Sequence, residues 1–123
     1  MSNWFLRIAV LYLIGGISLG LYMAASGDHV MHPVHAHFNL LGFVLMMLFG
    51  LFYRALPAAA DSKLALAHFW IYVPAHFVQM VTLFLFYRGN AALEPVLAIS
   101  SMVVGVAILC FAVVVWKHTG GAA

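Results

Sequence analysis

Four long apolar stretches, divided by short polar breaks, restrict this chain to a membrane fold. They cover residues 4–23, 35–56, 64–87 and 93–116, and each has about the 20 apolar residues that a helix needs to cross a bilayer. Only 7% of the 123 residues are charged, whereas a soluble domain has about a quarter. We therefore predict an all-α integral membrane protein with four transmembrane helices, in which residues 1–123 form a single domain.

The basic residues predict the orientation of the helices. With four spans, both termini and the middle loop lie on one side, and that side has four basic residues, namely Arg7, Arg54, Lys63 and Lys117. The opposite side has only Arg88. Because positively charged loops stay in the cytoplasm, we predict cytoplasmic termini and an outer loop at residues 28–35. The net charge of +2 is too small to indicate nucleic-acid binding.

Two histidines, His35 and His37, stand at the outer start of the second helix. Residues two apart in an α-helix point about 200° apart, so these side chains would serve two sites on opposite flanks. Asn39, one turn below His35, is positioned to orient a ring or a ligand. Gly42 would leave room for a flat cofactor or for a closely packed helix. The alternative is that both histidines only meet water among the lipid headgroups.

A polar stripe runs along the third helix. It consists of His68, Tyr72, His76 and Gln79, whose spacing places them on one helical face. His76 is near the bilayer midplane, roughly 18 Å below the outer surface. A polar stripe at this depth faces the bundle interior, another subunit or a cofactor; a hydrogen-bonded seam between helices is the simpler alternative.

The outer loop offers a further candidate site. His29, His32 and His35 recur at every third residue beside Asp28, and imidazoles with a carboxylate could bind zinc or copper.

The only carboxylates of the chain are Asp28, Asp61 and Glu94, and none is well inside a span. We therefore do not expect proton pumping.

The segment from His35 to Gly42, with Gly50, Tyr53 and Pro57 following, resembles subunit I of the heme-copper oxidase superfamily. The likeness is closest to the nitric oxide reductase and C-type oxidase branches. The chain also resembles short four-span bacterial proteins described as cytochrome oxidase subunit I-like, in which His-Phe-Trp recurs on the third helix, as at residues 68–70. The likeness covers about half of the chain.

This resemblance implies roles for individual residues. The superfamily's subunit has three arcs of four helices, and an H-x-H in its last arc binds high-spin and low-spin hemes on opposite faces. His35 and His37 would accordingly be iron ligands, with Asn39 and Gly42 beside the cofactor. Arg88 occupies the place of the propionate-binding arginines. The superfamily's copper ligands come from other arcs, so copper, for which only His68 or His76 remain, is possible but unsupported.

One arc is a third of that architecture, so the resemblance implies a homotrimer in which each groove holds a heme. The heme would be of b type because the chain has no Cys-x-x-Cys-His motif. The expected function is the binding and turnover of nitric oxide or dioxygen in a bacterial inner membrane, with the heme towards the periplasm. His76 and Tyr72 would be catalytic, and the electron donor is unknown. The alternatives are a bis-histidine electron carrier or gas sensor, a heme- or metal-handling protein, and a packing module without cofactor.

Overall fold

A computed structural model describes residues 1–120, and all the regular secondary structure in this range is helical. Four helices are long and apolar enough to cross a membrane. They are α1 (Ser2–Ser26), α2 (His32–Ala55), α3 (Lys63–Tyr87) and α4 (Glu94–Thr119). A helical turn at Pro57–Ala60 precedes α3, and a 3₁₀ turn at Ala91–Leu93 precedes α4. The predicted multi-pass helical fold is confirmed at this level.

The helix ends differ by a few residues from the predicted spans, for local reasons. The first helix continues to Ser26 and ends where Gly27 adopts φ 71°, a left-handed conformation that glycine accepts without strain. The second helix begins at His32 because Pro33 occupies its first turn, where the missing N–H costs no hydrogen bond. At the start of α3, the Ser62 hydroxyl accepts a hydrogen bond of 3.1 Å from the Ala65 N–H.

The helix α2 is not uniformly α-helical. Residues Phe38–Val44 form a π-helical segment, in which the Leu45 N–H bonds to the Leu40 carbonyl five residues earlier. At the end of this segment, each N–H again bonds to the carbonyl four residues earlier instead of five. One carbonyl is skipped at this change and is left without an amide donor. The carbonyl next in line is that of Leu41, and it accepts a hydrogen bond of 2.6 Å from the Tyr72 hydroxyl of α3.

The helices pack as two hairpins, α1 with α2 and α3 with α4. Aromatic side chains fill the seam between the hairpins. The rings of Phe5 and Phe69 join α1 to α3 at 4.9 Å between centroids, and those of Phe49 and Phe111 join α2 to α4 at 4.6 Å. A smaller cluster of buried side chains lies near the end predicted to be outer, hereafter the outer end. Its members are Met23, Met31, Val34, Met80 and Leu83.

Candidate functional site

His35 lies half-buried against α1. Its Nδ1 is 2.7 Å from the Gly16 carbonyl oxygen, and its ring covers Gly20 so closely that a Cβ there would be 2.8 Å from the ring Cε1. A carbonyl can only accept, so Nδ1 donates and Nε2 retains its lone pair. The Asn39 amide nitrogen lies 3.3 and 3.4 Å from the two ring nitrogens. These distances are long for hydrogen bonds, so Asn39 positions the ring without binding Nε2 strongly.

His37 is anchored within its own helix. Its Nδ1 donates to the Pro33 carbonyl at 2.7 Å, so that Nε2 again carries the lone pair. The side chain is half-buried, which leaves Nε2 accessible to a ligand. The backbone of His37 lies close to the His76 ring on α3. The two residues of the H-x-H motif therefore face different helices, since the His35 ring is bonded to the first and the His37 backbone lies beside the third.

His76 has no exposed surface, and neither of its ring nitrogens has a hydrogen-bond partner among residues 1–120. The Tyr72 ring is parallel to it at 5.7 Å, and the Tyr12 ring meets it edge-on at 4.7 Å. Burying a polar group without a partner is unfavourable, and such groups are expected at functional sites or beside an ordered water. Tyr72 lies beside His76 as the spacing predicts, but its hydroxyl is already donated to Leu41.

Tyr12 is the contact that the sequence did not reveal, because a single tyrosine in an apolar helix carries no periodic signal. It packs over Gly42, where a Cβ would be 2.6 Å from the Tyr12 Cγ. The space that Gly42 leaves within this chain is therefore taken by a closely packed helix, the second of the two predicted alternatives.

The other two members of the α3 stripe form polar contacts between helices. His68 is fully buried, and its Nδ1 is 2.9 Å from the Tyr53 hydroxyl of α2. The rings of Phe5, Phe49 and Phe111 surround it at 4.5–5.3 Å between centroids. The Gln79 amide donates to the Ser101 hydroxyl of α4 at 2.9 Å. His68 and Gln79 thus belong to the hydrogen-bonded seam that was the simpler interpretation of the stripe.

The outer loop does not assemble a metal site. In the described part of the chain, no three His, Cys, Asp or Glu side chains are placed to share a metal ion. His29 Nδ1 lies 3.0 Å from the Gly27 carbonyl, and the His32 and His35 rings are 6.5 Å apart. The three histidines do not converge because His29 precedes the helix, whereas His32 and His35 lie on it.

Arg88 lies where it was predicted, at the outer end of α3, and is exposed. It shares a cavity of about 300 Å³ with Asp28, two tyrosines and the loop residues Val30 and Met31. Neither His35 nor His37 lines this cavity. Its expected contact with a heme propionate stays a prediction.

Comparison with protein-family models, curated proteins and solved structures finds no match to this chain. The resemblance to the heme-copper oxidase superfamily therefore rests on the sequence motif at residues 35–42 and the residues that follow it.

Proposed function

We propose that this chain is a b-type heme protein of the membrane that binds nitric oxide or dioxygen and turns it over. The observation that carries the proposal is the pairing of His37, with its accessible Nε2, and His76, a buried imidazole with two unpartnered nitrogens. Polar titratable side chains at this depth in a membrane are costly and usually functional.

His37 is a better candidate for the axial heme ligand than His35. A backbone carbonyl fixes Nδ1 of each ring, the arrangement that prepares Nε2 for a metal. His37 has an open Nε2, whereas the ring of His35 lies between Gly20 and Asn39. A bound heme would supply an iron able to coordinate a diatomic gas when one axial position stays open.

His76 is the proposed proton donor or acceptor of the site. It is shielded from the bilayer, and its neighbours Tyr12 and Tyr72 hold the ring from two sides. An imidazole can accept a proton at one nitrogen and release it from the other, and the His76 ring makes no hydrogen bond of good geometry within residues 1–120, although the His37 backbone approaches it. Tyr72 positions this ring while its hydroxyl stays on the Leu41 carbonyl.

We further propose a homotrimer in a bacterial inner membrane, with the outer end in the periplasm. In a cyclic trimer, every interface is the same, and each groove would see His37 of one protomer and His35 of the next. The excess of basic residues at the opposite end supports this orientation.

A second candidate function is a helix-packing module without cofactor. Three polar contacts between helices favour it: His68 with Tyr53, His35 with the Gly16 carbonyl and Gln79 with Ser101. Within residues 1–120, both ring nitrogens of His76 are buried without a partner, and His68 Nε2 and Gln79 Oε1 are single unpartnered atoms of the same stripe.

The absorption spectrum of the protein purified from heme-supplied cells distinguishes these functions. We expect a Soret band that shifts when carbon monoxide or nitric oxide is added to the reduced protein. His37→Ala should abolish the band, and His35→Ala should reduce it. A matched control is His118→Ala, because His118 Nδ1 makes the same bond to a carbonyl four residues earlier, at the opposite end.

Each outcome decides between the candidates. A band insensitive to carbon monoxide would replace turnover by electron transfer through two axial histidines. The absence of any band would leave the packing module. A band that survives both His37→Ala and His35→Ala would show that the ligand assignment is wrong.

A further inference from the structure

A cavity at the outer end holds two of the few charged residues of the chain. It has a volume of about 300 Å³, and its walls come from the end of α1, the outer loop and the end of α3. The lining residues are Tyr22, Asp28, Val30, Met31, Tyr87 and Arg88. With charged residues only 7% of the sequence, an arginine and an aspartate on one cavity form an unusual concentration of charge.

Hydrogen bonds hold the main chain at both charged residues. The Asp28 N–H bonds to the Ser26 hydroxyl, and the Asp28 Oδ1 accepts the Val30 N–H, each at 3.1 Å. This turn leaves Oδ2 as an acceptor for another partner. The Arg88 N–H is bonded to the Phe84 and Leu85 carbonyls at 3.1 Å, which holds the residue at the end of α3. Within residues 1–120, no side-chain hydrogen bond or ion pair joins Arg88 to Asp28.

The cavity lies at the level where lipid headgroups are expected. Asp28 follows the end of α1 at Ser26 by two residues, and Arg88 follows directly after Tyr87, the last residue of α3. Tyrosine rings are enriched at this level of a membrane because they are apolar with one polar end. Tyr22 and Tyr87 are both partly exposed on the cavity wall.

We propose that this cavity binds the headgroup of a zwitterionic phospholipid with a primary ammonium, of the phosphatidylethanolamine type. Its phosphate accepts hydrogen bonds from the Arg88 guanidinium, whose fork of donors suits phosphate oxygens. Its ammonium donates to Asp28 Oδ2. This site is independent of the proposed heme, and it assigns Arg88 to a lipid instead of a propionate.

The charges select this headgroup over the two other common ones. An anionic phosphatidylglycerol would satisfy Arg88 but would place its negative charge beside Asp28 with no cation for that carboxylate. Phosphatidylcholine carries a positive charge but has no N–H to donate to Asp28. An ion pair at an exposed site contributes modestly, so we expect a preference of about fivefold for the ethanolamine lipid over either competitor.

Native mass spectrometry of the full chain with lipids of identical acyl chains tests the site. We expect more retained phosphatidylethanolamine than phosphatidylcholine or phosphatidylglycerol. Arg88→Gln should weaken the retention of all three lipids. Asp28→Asn keeps the acceptor for the Val30 N–H but replaces Oδ2 by an amide NH2, so it should remove the preference over both phosphatidylglycerol and phosphatidylcholine. The same changes at the opposite end, Arg7→Gln and Asp61→Asn, are the matched controls.

Several outcomes would overturn the assignment. Equal retention of the three lipids, or a preference that both Arg88→Gln and Asp28→Asn leave intact, would show that the cavity is not a headgroup site. Competition by inorganic phosphate as effective as that by the lipid would indicate a free-anion site. Heme content separates the two roles of Arg88, because loss of heme from Arg88→Gln with the lipid preference intact would restore the propionate role.

Discussion

Histidines in the two halves of the bundle are held in different ways. In the inner half, His68 is fully buried among aromatic rings and bonded to Tyr53, a side chain of another helix. At the outer end, His35 and His37 are half-buried and bonded through Nδ1 to backbone carbonyls. A bond between two side chains joins helices and depends on both partners. A bond to a carbonyl at a half-buried position orients the ring where a ligand can reach its second nitrogen, whereas Nε2 of His68 is buried without a partner.

Truncating the two kinds of histidine should separate stability from ligand binding. His68→Ala removes a ring from a packed core and leaves a cavity, so we expect a loss of about 3–5 kcal/mol in the free energy of unfolding. His37→Ala removes one hydrogen bond at a half-exposed position and should cost about 1 kcal/mol or less. Unfolding by sodium dodecyl sulfate in mixed micelles measures both. Similar losses of unfolding free energy for the two variants would show that the histidines of the two halves do not differ in their contribution to stability.

The bond between Tyr53 and His68 can be tested without making a cavity. Tyr53→Phe leaves the buried Nδ1 of His68 without its partner, which should cost about 1–3 kcal/mol in the free energy of unfolding. In Tyr53→Phe/His68→Phe, both polar groups are replaced by apolar rings, and such replacements are nearly neutral. We therefore expect the double variant to be more stable than the single one. A double variant less stable than Tyr53→Phe would show that the aromatic rings around position 68 require an imidazole there.

The sequence predicts most of this fold because a bilayer imposes simple constraints. Span lengths follow from membrane thickness, and the inward position of the α3 stripe follows from the cost of exposing polar groups to lipid. His68, Tyr72, His76 and Gln79 are indeed buried in the structure.

The contacts between helices are not predictable in the same way. The π-helical segment at Phe38–Val44 faces a hydroxyl that is more than thirty positions away in sequence, as the pairing of Tyr72 with Leu41 shows. Tyr12 over Gly42 depends likewise on the register of α1 against α2. The candidate metal site of the outer loop does not form because Gly27 ends α1 in a left-handed conformation and His29 is bonded back to it.

His76 is bonded neither to a side chain, as His68 is, nor to a carbonyl through Nδ1, as His35 and His37 are. A substitution at His76 gives the smallest expected change in the free energy of unfolding. His76→Phe keeps the ring contacts with Tyr12 and Tyr72 and removes at most a weak interaction with the His37 backbone. We expect the free energy of unfolding to stay within about 1 kcal/mol of wild type or to rise, while the proposed gas turnover, measured on protein loaded with heme, falls.

His68→Phe is the matched control for this change, because the same substitution there deprives Tyr53 of its buried partner and should lower stability. If His76→Phe instead destabilises the protein as much as Tyr53→Phe does, an ordered water bonded to His76 is part of the folded state. His76 would then be grouped with His68, as a structural residue of the seam. If the free energy of unfolding is unchanged and turnover is lost, the His76 imidazole serves the reaction and not the fold. A ring that stabilised the fold would lower the free energy of unfolding when it is replaced.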